Sequence, residues 1–237
     1  MNLSIIIPLY NEGKLICTTL EKVLSVQFPS FVKTFEVIIV DDCSNDDSNK
    51  NVADYIVNKP NVRLFKHDIN KGKGAAVRTG MNEAIGDVFL IQDADLELSP
   101  LDIPLMLQTM EDLKVGFING SRYMPGVYRP LSSYRRYLFN KLFTLITSIL
   151  INVRLTDMAC GYKLFSRELY DKIILRENRF GFEAELIIKA MRIRKNNIAE
   201  VPVRYFPRNE GEGKKLKNID GLRIFKTIFK YGVLRMK

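Results

Sequence analysis

Asp93-Ala94-Asp95 follows the apolar run Val88-Phe89-Leu90-Ile91. Two carboxylates flanking one small residue at the mouth of a strand can share a hard divalent cation. Mg²⁺ or Mn²⁺ takes oxygen ligands, keeps several waters and completes its shell with phosphates. Glu97 offers a third oxygen; an ordinary acidic turn has the same composition. Asp41-Asp42 closes the run Val37–Val40 in the same way. Such a pair accepts from the N–H groups of a nucleobase or the hydroxyls of a ribose; equally, Asp42, Ser44 and Asp46 suit the N-terminus of a helix. Tyr10-Asn11-Glu12 closes the first apolar run, where Tyr10 can stack on a base and Glu12 can bond ribose hydroxyls. Its plainer reading is a turn with a surface acid.

Asn70-Lys71-Gly72-Lys73-Gly74-Ala75-Ala76 reads as a phosphate loop, although it matches neither the P-loop nor the Gly-X-Gly-X-X-Gly pattern. Small residues opening a helix let backbone N–H groups and the charges of Lys71 and Lys73 meet a nucleotide. His67 is the only histidine. Without a second one it anchors neither a zinc nor a Ser-His-Asp triad, and it reads as structural. Cys17, Cys43 and Cys160 are odd in number and widely spaced, as expected of small packed residues in a reducing compartment.

The elements that must position these residues alternate. Strands are expected at Leu3–Pro8, Glu36–Val40, Val62–Lys66, Asp87–Gln92 and Val115–Gly120. Helices are expected at 14–26, from 44 onward, at 72–84 and at 100–113, with Ser99 as a cap and Pro100 at the first helical position. The rhythm predicts an α/β fold with a mostly parallel central sheet flanked by helices and ligands at the carboxyl ends of its strands. Beyond it come a loop at 121–133, an amphipathic helix at 134–151, helices at 167–175 and 182–195, and a strand at 198–206 that Pro202 marks as an edge. A polar loop at 209–217 and a basic helix at 219–234 follow. No repeat or linker breaks the chain, so one domain over 1–237 is expected.

The 237 residues are 46% hydrophobic and carry a formal charge of +9, which excludes a disordered tail or a disulfide mini-protein. The distribution of charge is more informative than the sum. Residues 1–112 hold 17 acids and 10 bases, and residues 113–237 hold 10 acids and 26 bases. The acidic strand ends would repel phosphate unless a cation bridged them, and no aromatic RNA-binding signature accompanies the bases, so a nucleic-acid binder is disfavoured. The first apolar run stops at Pro8, too short for a signal peptide. The longest apolar stretch, 142–151, is too short to span a bilayer. The expectation is a cytoplasmic protein that touches a membrane, if at all, from one side.

Taken in order, Pro8-Leu9-Tyr10-Asn11-Glu12, Val40-Asp41-Asp42-Cys43-Ser44-Asn45-Asp46, Asn70 to Ala75 and Asp93-Ala94-Asp95 resemble the motifs of family 2 glycosyltransferases, inverting enzymes on the GT-A fold. Gly120-Ser121-Arg122-Tyr123, Asp157 to Phe165, Phe180 to Glu185, Glu200-Val201-Pro202-Val203 and Arg208 to Lys214 narrow the resemblance to the polyprenyl-phosphate sugar synthases. Two positions depart from that pattern. Cys43 stands where the family usually has Gly, a change compatible with a backbone that is not left-handed, and Glu97 stands where mannose synthases often have Gln. The resemblance implies a UDP- or GDP-sugar donor and a lipid-phosphate acceptor, or failing that a saccharide hydroxyl. It assigns Pro8, Tyr10, Glu12, Asp41 and Asp42 to the nucleoside, and Lys71, Lys73, Ala75, Asp93 and Ala94 to the nucleotide sugar. Asp93 and Asp95 would hold the metal, with Glu97 as a third ligand, and Arg122 a phosphate. Arg135 or Arg136 would take the acceptor's phosphate, unless they form a solvated helix face. A hydroxyl acceptor would need a base, for which Asp157 is the first candidate and Glu183 the second; equally, Asp157 caps the following turn or orients the acceptor. A lipid phosphate is already anionic and needs none. Many relatives continue into transmembrane helices that this sequence does not show, which weighs against the lipid acceptor.

Overall fold

The computed structural model describes residues 1–126, 133–193, 197–208 and 218–236. The loop 127–132 and the closing motif beyond Arg208 lie outside them. A seven-stranded sheet runs in the order β3-β2-β1-β4-β6-β5-β7. Its strands are β1 (Asn2–Leu9), β2 (Thr34–Asp41), β3 (Val62–Lys66), β4 (Val88–Ile91), β5 (Phe117–Ser121), β6 (Lys163–Ser166) and β7 (Ile198–Pro202). Six of the seven point the same way; β6 alone runs antiparallel, to both β4 and β5. The carboxyl ends of β1, β2, β4, β5 and β7 therefore share one edge.

The central strands are apolar almost throughout because both faces are covered. Ile5, Ile7, Leu9, Val37, Ile39 and Leu90 pack on one face, with α1 (Ile16–Leu24), α2 (Ser48–Ile56) and α4 (Ile103–Leu113). Ile6, Ile38, Val40, Phe89 and Ile91 pack on the other, with α3 (Lys73–Glu83), α6 (Arg167–Tyr170) and α7 (Phe182–Ile193). Pro8 fits inside β1 because β4 pairs only as far as Ile6, so the missing N–H falls beyond that ladder.

The differences from expectation are local and have physical causes. The sequence pattern shows no β6, a four-residue strand that opens on a lysine. Lys163 is nevertheless fully buried, its ammonium donating to the carbonyls of Met158 and Cys160. The helix expected over 167–175 stops at Tyr170, and β7 ends at Pro202, at the sheet edge. Ser99 makes no side-chain cap bond to the 3₁₀ turn Pro100–Asp102 that leads into α4. Cys43 has φ 62°, so it occupies the left-handed region that favours the usual glycine. The last helix, α8 (Asn218–Thr227), continues into a π-helical turn, Ile228–Val233. Helix α5 (Tyr134–Ile151) matches its expected bounds. Its fully buried residues are Asn140, Thr144 and Thr147; Phe143, Ile146, Leu150 and Ile151 pack partly on the core, while Tyr134, Leu138, Phe139, Leu142, Leu145 and Ile149 are exposed.

Candidate active site

The turn after β1 is tied to the loop after β2. Asn11 N–H donates to Ser44 Oγ (2.9 Å), Glu12 N–H to Ser48 Oγ (2.8 Å) and Gly13 N–H to Asp46 Oδ2 (2.9 Å). Asn11, left-handed at φ 49°, accepts Asn45 N–H in return. These bonds fix Glu12 at the end of β1, with Tyr10 half-buried beside it. Glu12 faces Arg208, whose guanidinium meets both its oxygens at 2.9 and 3.0 Å across 196 residues of sequence.

Arg208 also reaches Asp95 Oδ2 at 3.0 Å, and its Nε lies 4.0 Å from Glu97 Oε1. Glu97 further accepts the Arg208 N–H (2.9 Å) and the Tyr205 hydroxyl (3.0 Å). Beside this group, Lys73 Nζ bridges Asp93 Oδ1 (2.6 Å) and Glu183 Oε1 (2.9 Å). Five carboxylates, from the ends of β1 and β4 and the start of α7, thus gather around Arg208 and Lys73. Burial first, then the charges of Asp93 and Glu97, push the Asp95 carboxyl up to about 6 against the pull of Arg208. Burial alone would lower the Lys73 ammonium, but Asp93 and Glu183 hold it well above the usual lysine range.

Gly161 belongs to this cluster. A Cβ added there would overlap Asp93 Oδ2, so the carboxylate lies directly on backbone. The donor set is all oxygen, which fits a hard divalent cation. Among the described residues no three His, Cys, Asp or Glu side chains converge to hold a metal ion unaided. Glu97 is committed to Tyr205 and the Arg208 backbone, so the expected third ligand is not presented beside Asp93 and Asp95. A cation there would rest on one or two carboxylates and draw the rest of its shell from phosphate and water.

Several expected contacts are instead made within the protein. Asp41 is fully buried, one oxygen accepting Ser44 N–H (3.0 Å) and Oγ–H (2.5 Å), the other Asn49 Nδ2 (3.0 Å). Asp42 accepts Lys71 N–H (2.8 Å) and Gly72 N–H (2.6 Å) and lies 2.7 Å from His67 Nδ1, whose Nε2 meets Thr79. His67 is structural, as expected, and Asp42 is the pin that holds the loop before α3. Four of that loop's N–H groups bond within the protein. The N–H groups of Lys71 and Gly72 go to Asp42, and those of Ala75 and Ala76 go to the Gly72 carbonyl, Ala75 also to that of Asn178. Gly72 and Gly74 are small because the 177–179 segment lies against them; a Cβ on either would run into its backbone. Lys71 is exposed, and buried Ala94 only offers its carbonyl to Thr19.

Asp157 has the surroundings of the structural reading. It is fully buried and bound by Arg122 through Nε (2.7 Å), Nη2 (2.9 Å) and backbone N–H (3.0 Å), and by Asn140 Nδ2 (2.8 Å). Burial would raise its carboxyl, but the guanidinium and these hydrogen bonds hold it below the usual range. Both carboxylate oxygens are occupied by these donors, the arrangement of a structural residue. Its role is to aim Arg122, whose guanidinium also lies 5.1 Å from the Tyr205 ring. Glu183, the second candidate base, is 7% exposed and tied to Lys73. Arg135 is exposed and Arg136 half-buried on the first turn of α5, which runs on to the Asn140–Asp157 contact. Sequence reasoning missed the joining role of Arg208. Its signal was its place at the head of the closing motif Arg208 to Lys214, a few residues beyond the last strand on the edge that carries the acids.

The mostly parallel sheet flanked by helices, with acids at its strand ends, is that of the GT-A class of nucleotide-sugar transferases. The chain belongs to Glycosyl transferase family 2, whose model matches residues 4–174, and it is a glycosyltransferase. A dolichyl-phosphate beta-glucosyltransferase of Trichomonas vaginalis is 31% identical over 228 residues, 90% of this chain and 68% of that protein. The Homo sapiens dolichyl-phosphate beta-glucosyltransferase is 31% identical over 230 residues, 90% and 69%. A dolichol-phosphate mannosyltransferase of Pyrococcus furiosus is 30% identical, over 98% of this chain and 62% of its own. Glucosyl-3-phosphoglycerate synthase of Mycobacterium tuberculosis, solved with Mn²⁺, UDP and glucosyl-3-phosphoglycerate, shares the fold at TM-score 0.73 and 17% identity, covering 98% of this chain and 80% of that one. No helix among the described residues is long and apolar enough to cross a membrane.

Proposed function

We propose that this enzyme moves a sugar from UDP or GDP to the phosphate of a polyprenyl lipid, with Mg²⁺ or Mn²⁺ on the donor diphosphate. The carrying observation is the carboxylate cluster at the strand ends, bridged by Arg208 and Lys73. A bound cation would sit at Asp93 and Asp95 and neutralise charge on the departing diphosphate. Lys73, held by Asp93 and Glu183, adds a fixed positive charge beside the same group, and Arg208 adds another. Asp157 fixes the Arg122 guanidinium through Nε and Nη2, which aims its remaining Nη hydrogens for phosphate oxygens. Tyr10, with Asp41 and Asp42 shaping the loops beside it, borders the nucleoside end, and Arg135 and Arg136 are the candidates for the acceptor's phosphate.

An oxygen of the lipid phosphate forms the new bond to the anomeric carbon as the bond to the diphosphate breaks on the opposite face. That nucleophile carries no proton to remove. The commitment of Asp157 to Arg122 therefore supports a phosphate acceptor over a hydroxyl, as do the names of the relatives. The direct test is a panel of UDP- and GDP-sugars with Mn²⁺ against a short polyprenyl phosphate and simple saccharides. Product on the lipid phosphate is expected; product on saccharides alone would overturn the acceptor.

Two further outcomes follow. Gly161→Ala should displace the Asp93 carboxylate and weaken Mn²⁺-dependent nucleotide binding by about tenfold or more, read by calorimetry. The same binding should weaken as pH falls through about 6, because Asp95 must be ionised to hold a cation. The unliganded fold should respond oppositely. A carboxyl raised in the folded state makes folding more favourable as pH drops through that value.

A further inference from the structure

Between α6 and α7 the chain crosses residues 173–178 without helix or strand, and the end of this stretch lies directly against the loop that opens α3. A Cβ on Gly72 would overlap the Asn178 carbonyl oxygen, and one on Gly74 that of Glu177. The same two carbonyls accept from α3. That of Glu177 takes Arg78 Nη1 (2.7 Å), and that of Asn178 takes Ala75 N–H (3.1 Å). Lys73 stands between the two glycines, so its backbone is seated on residues 177 and 178.

An irregular stretch has no ladder of its own, and its inward N–H and C=O groups need partners from elsewhere. Here they come from a buried pair on α7. Glu185 is fully buried, and its carboxylate accepts Arg176 N–H (2.9 Å to each oxygen) and Glu177 N–H (2.7 Å). Lys189, one turn on, meets Glu185 Oε1 at 2.7 Å and donates to the Ile174 carbonyl at 2.6 Å. The Glu177 side chain is held in turn by Lys230 Nζ (3.0 Å) and the Tyr231 hydroxyl (3.2 Å) of the C-terminal helix. Glu183, two positions before Glu185, faces another side of α7 and meets Lys73 Nζ itself at 2.9 Å. The opening turn of α7 therefore holds Lys73 at both ends. Glu183 takes its ammonium, and Glu185, through residues 176–178, fixes its backbone.

We propose that Glu185 is a positioning residue for donor binding, setting Lys73 beside Asp93 by fixing the stretch on which the Lys73 loop is seated. The assignment rests on the reading of Lys73 and Asp93 as the diphosphate side of the site. A carboxylate is the group this place requires. Two N–H groups and an ammonium converge on it, and charge-assisted bonds of that kind are the strong ones. Glutamine in its place would turn an NH₂ toward one of those donors.

The test is a double-mutant cycle on nucleotide binding. UDP and GDP are titrated with Mn²⁺ by calorimetry into the full chain, Glu185→Gln, Lys73→Met and the double variant. Glu185→Gln should weaken binding about tenfold in the otherwise unaltered chain. Where Lys73 is already methionine, the same change should cost less than about twofold. Equal loss in both backgrounds would overturn the proposal, as would unchanged binding by Glu185→Gln. Should circular dichroism show Glu185→Gln unfolded, Glu185→Asp, which keeps the charge but retracts it by one methylene, takes its place in the cycle. Hydrogen exchange needs no ligand. The amides of residues 72–78 should exchange faster in the variant, and an unchanged pattern there would overturn the seating. Binding of neither nucleotide by the unaltered chain would overturn the diphosphate reading, and the donor role of Glu185 with it, whatever the exchange shows.

Discussion

Asp95→Asn is expected to reduce transfer by roughly 10³-fold while leaving the fold intact. The substitution keeps the shape of the side chain and the oxygen that Glu97 N–H meets at 3.1 Å. It removes the charge that a cation on the diphosphate requires. Arg208 retains Glu12 on both of its terminal nitrogens, so the bridge to β1 persists. Stability should move the other way. Burial, Asp93 and Glu97 make the ionised Asp95 costly in the free protein, so the neutral amide should raise the thermal midpoint slightly. Lost activity with equal or better stability would mark Asp95 as retained for chemistry. Activity near the original level would remove Asp95 from the cation site.

Asp157→Ala should have the largest effect on stability, about 3–5 kcal/mol in urea unfolding. It leaves the Arg122 guanidinium, 18% exposed, without its partner in the interior, and strips Asn140 of its acceptor. The pair Arg122→Met with Asp157→Leu should recover much of that loss, because no lone charge then remains buried. Transfer should be poor in both, since neither presents an aimed arginine. A single Asp157→Ala variant within about 1 kcal/mol of the original protein would contradict the clamp.

How much of this could be read in the sequence differs by element. Strands β1, β2 and β4 were legible because a strand covered on both faces is apolar nearly throughout, and the acids beyond them stand out against that background. Helix α5 was legible in its bounds but not in its orientation: periodicity finds a stripe and does not say whether core or solvent faces it. Strand β6 was hidden by its shortness and by Lys163, whose burial depends on two carbonyls that only the fold brings near. Asp41, Asp42 and Gly72 drew attention for good reason, yet their type and spacing are equally those of loop pins and close packing, which is the work the structure gives them. The Arg208 bridge joins residues 196 apart, and the Arg122–Asp157 clamp joins two residues read as independent catalytic groups. Pairings of that kind are set by topology and leave no local pattern.

The measurement closest to the central claim is a calorimetric titration of UDP and GDP into the protein, with Mn²⁺ and again with excess EDTA. The strand-end cluster as a cation-and-diphosphate site predicts that one of the two nucleotides binds with Mn²⁺ and that EDTA abolishes the heat. Binding of equal strength in EDTA, or of neither nucleotide with Mn²⁺ present, would contradict it.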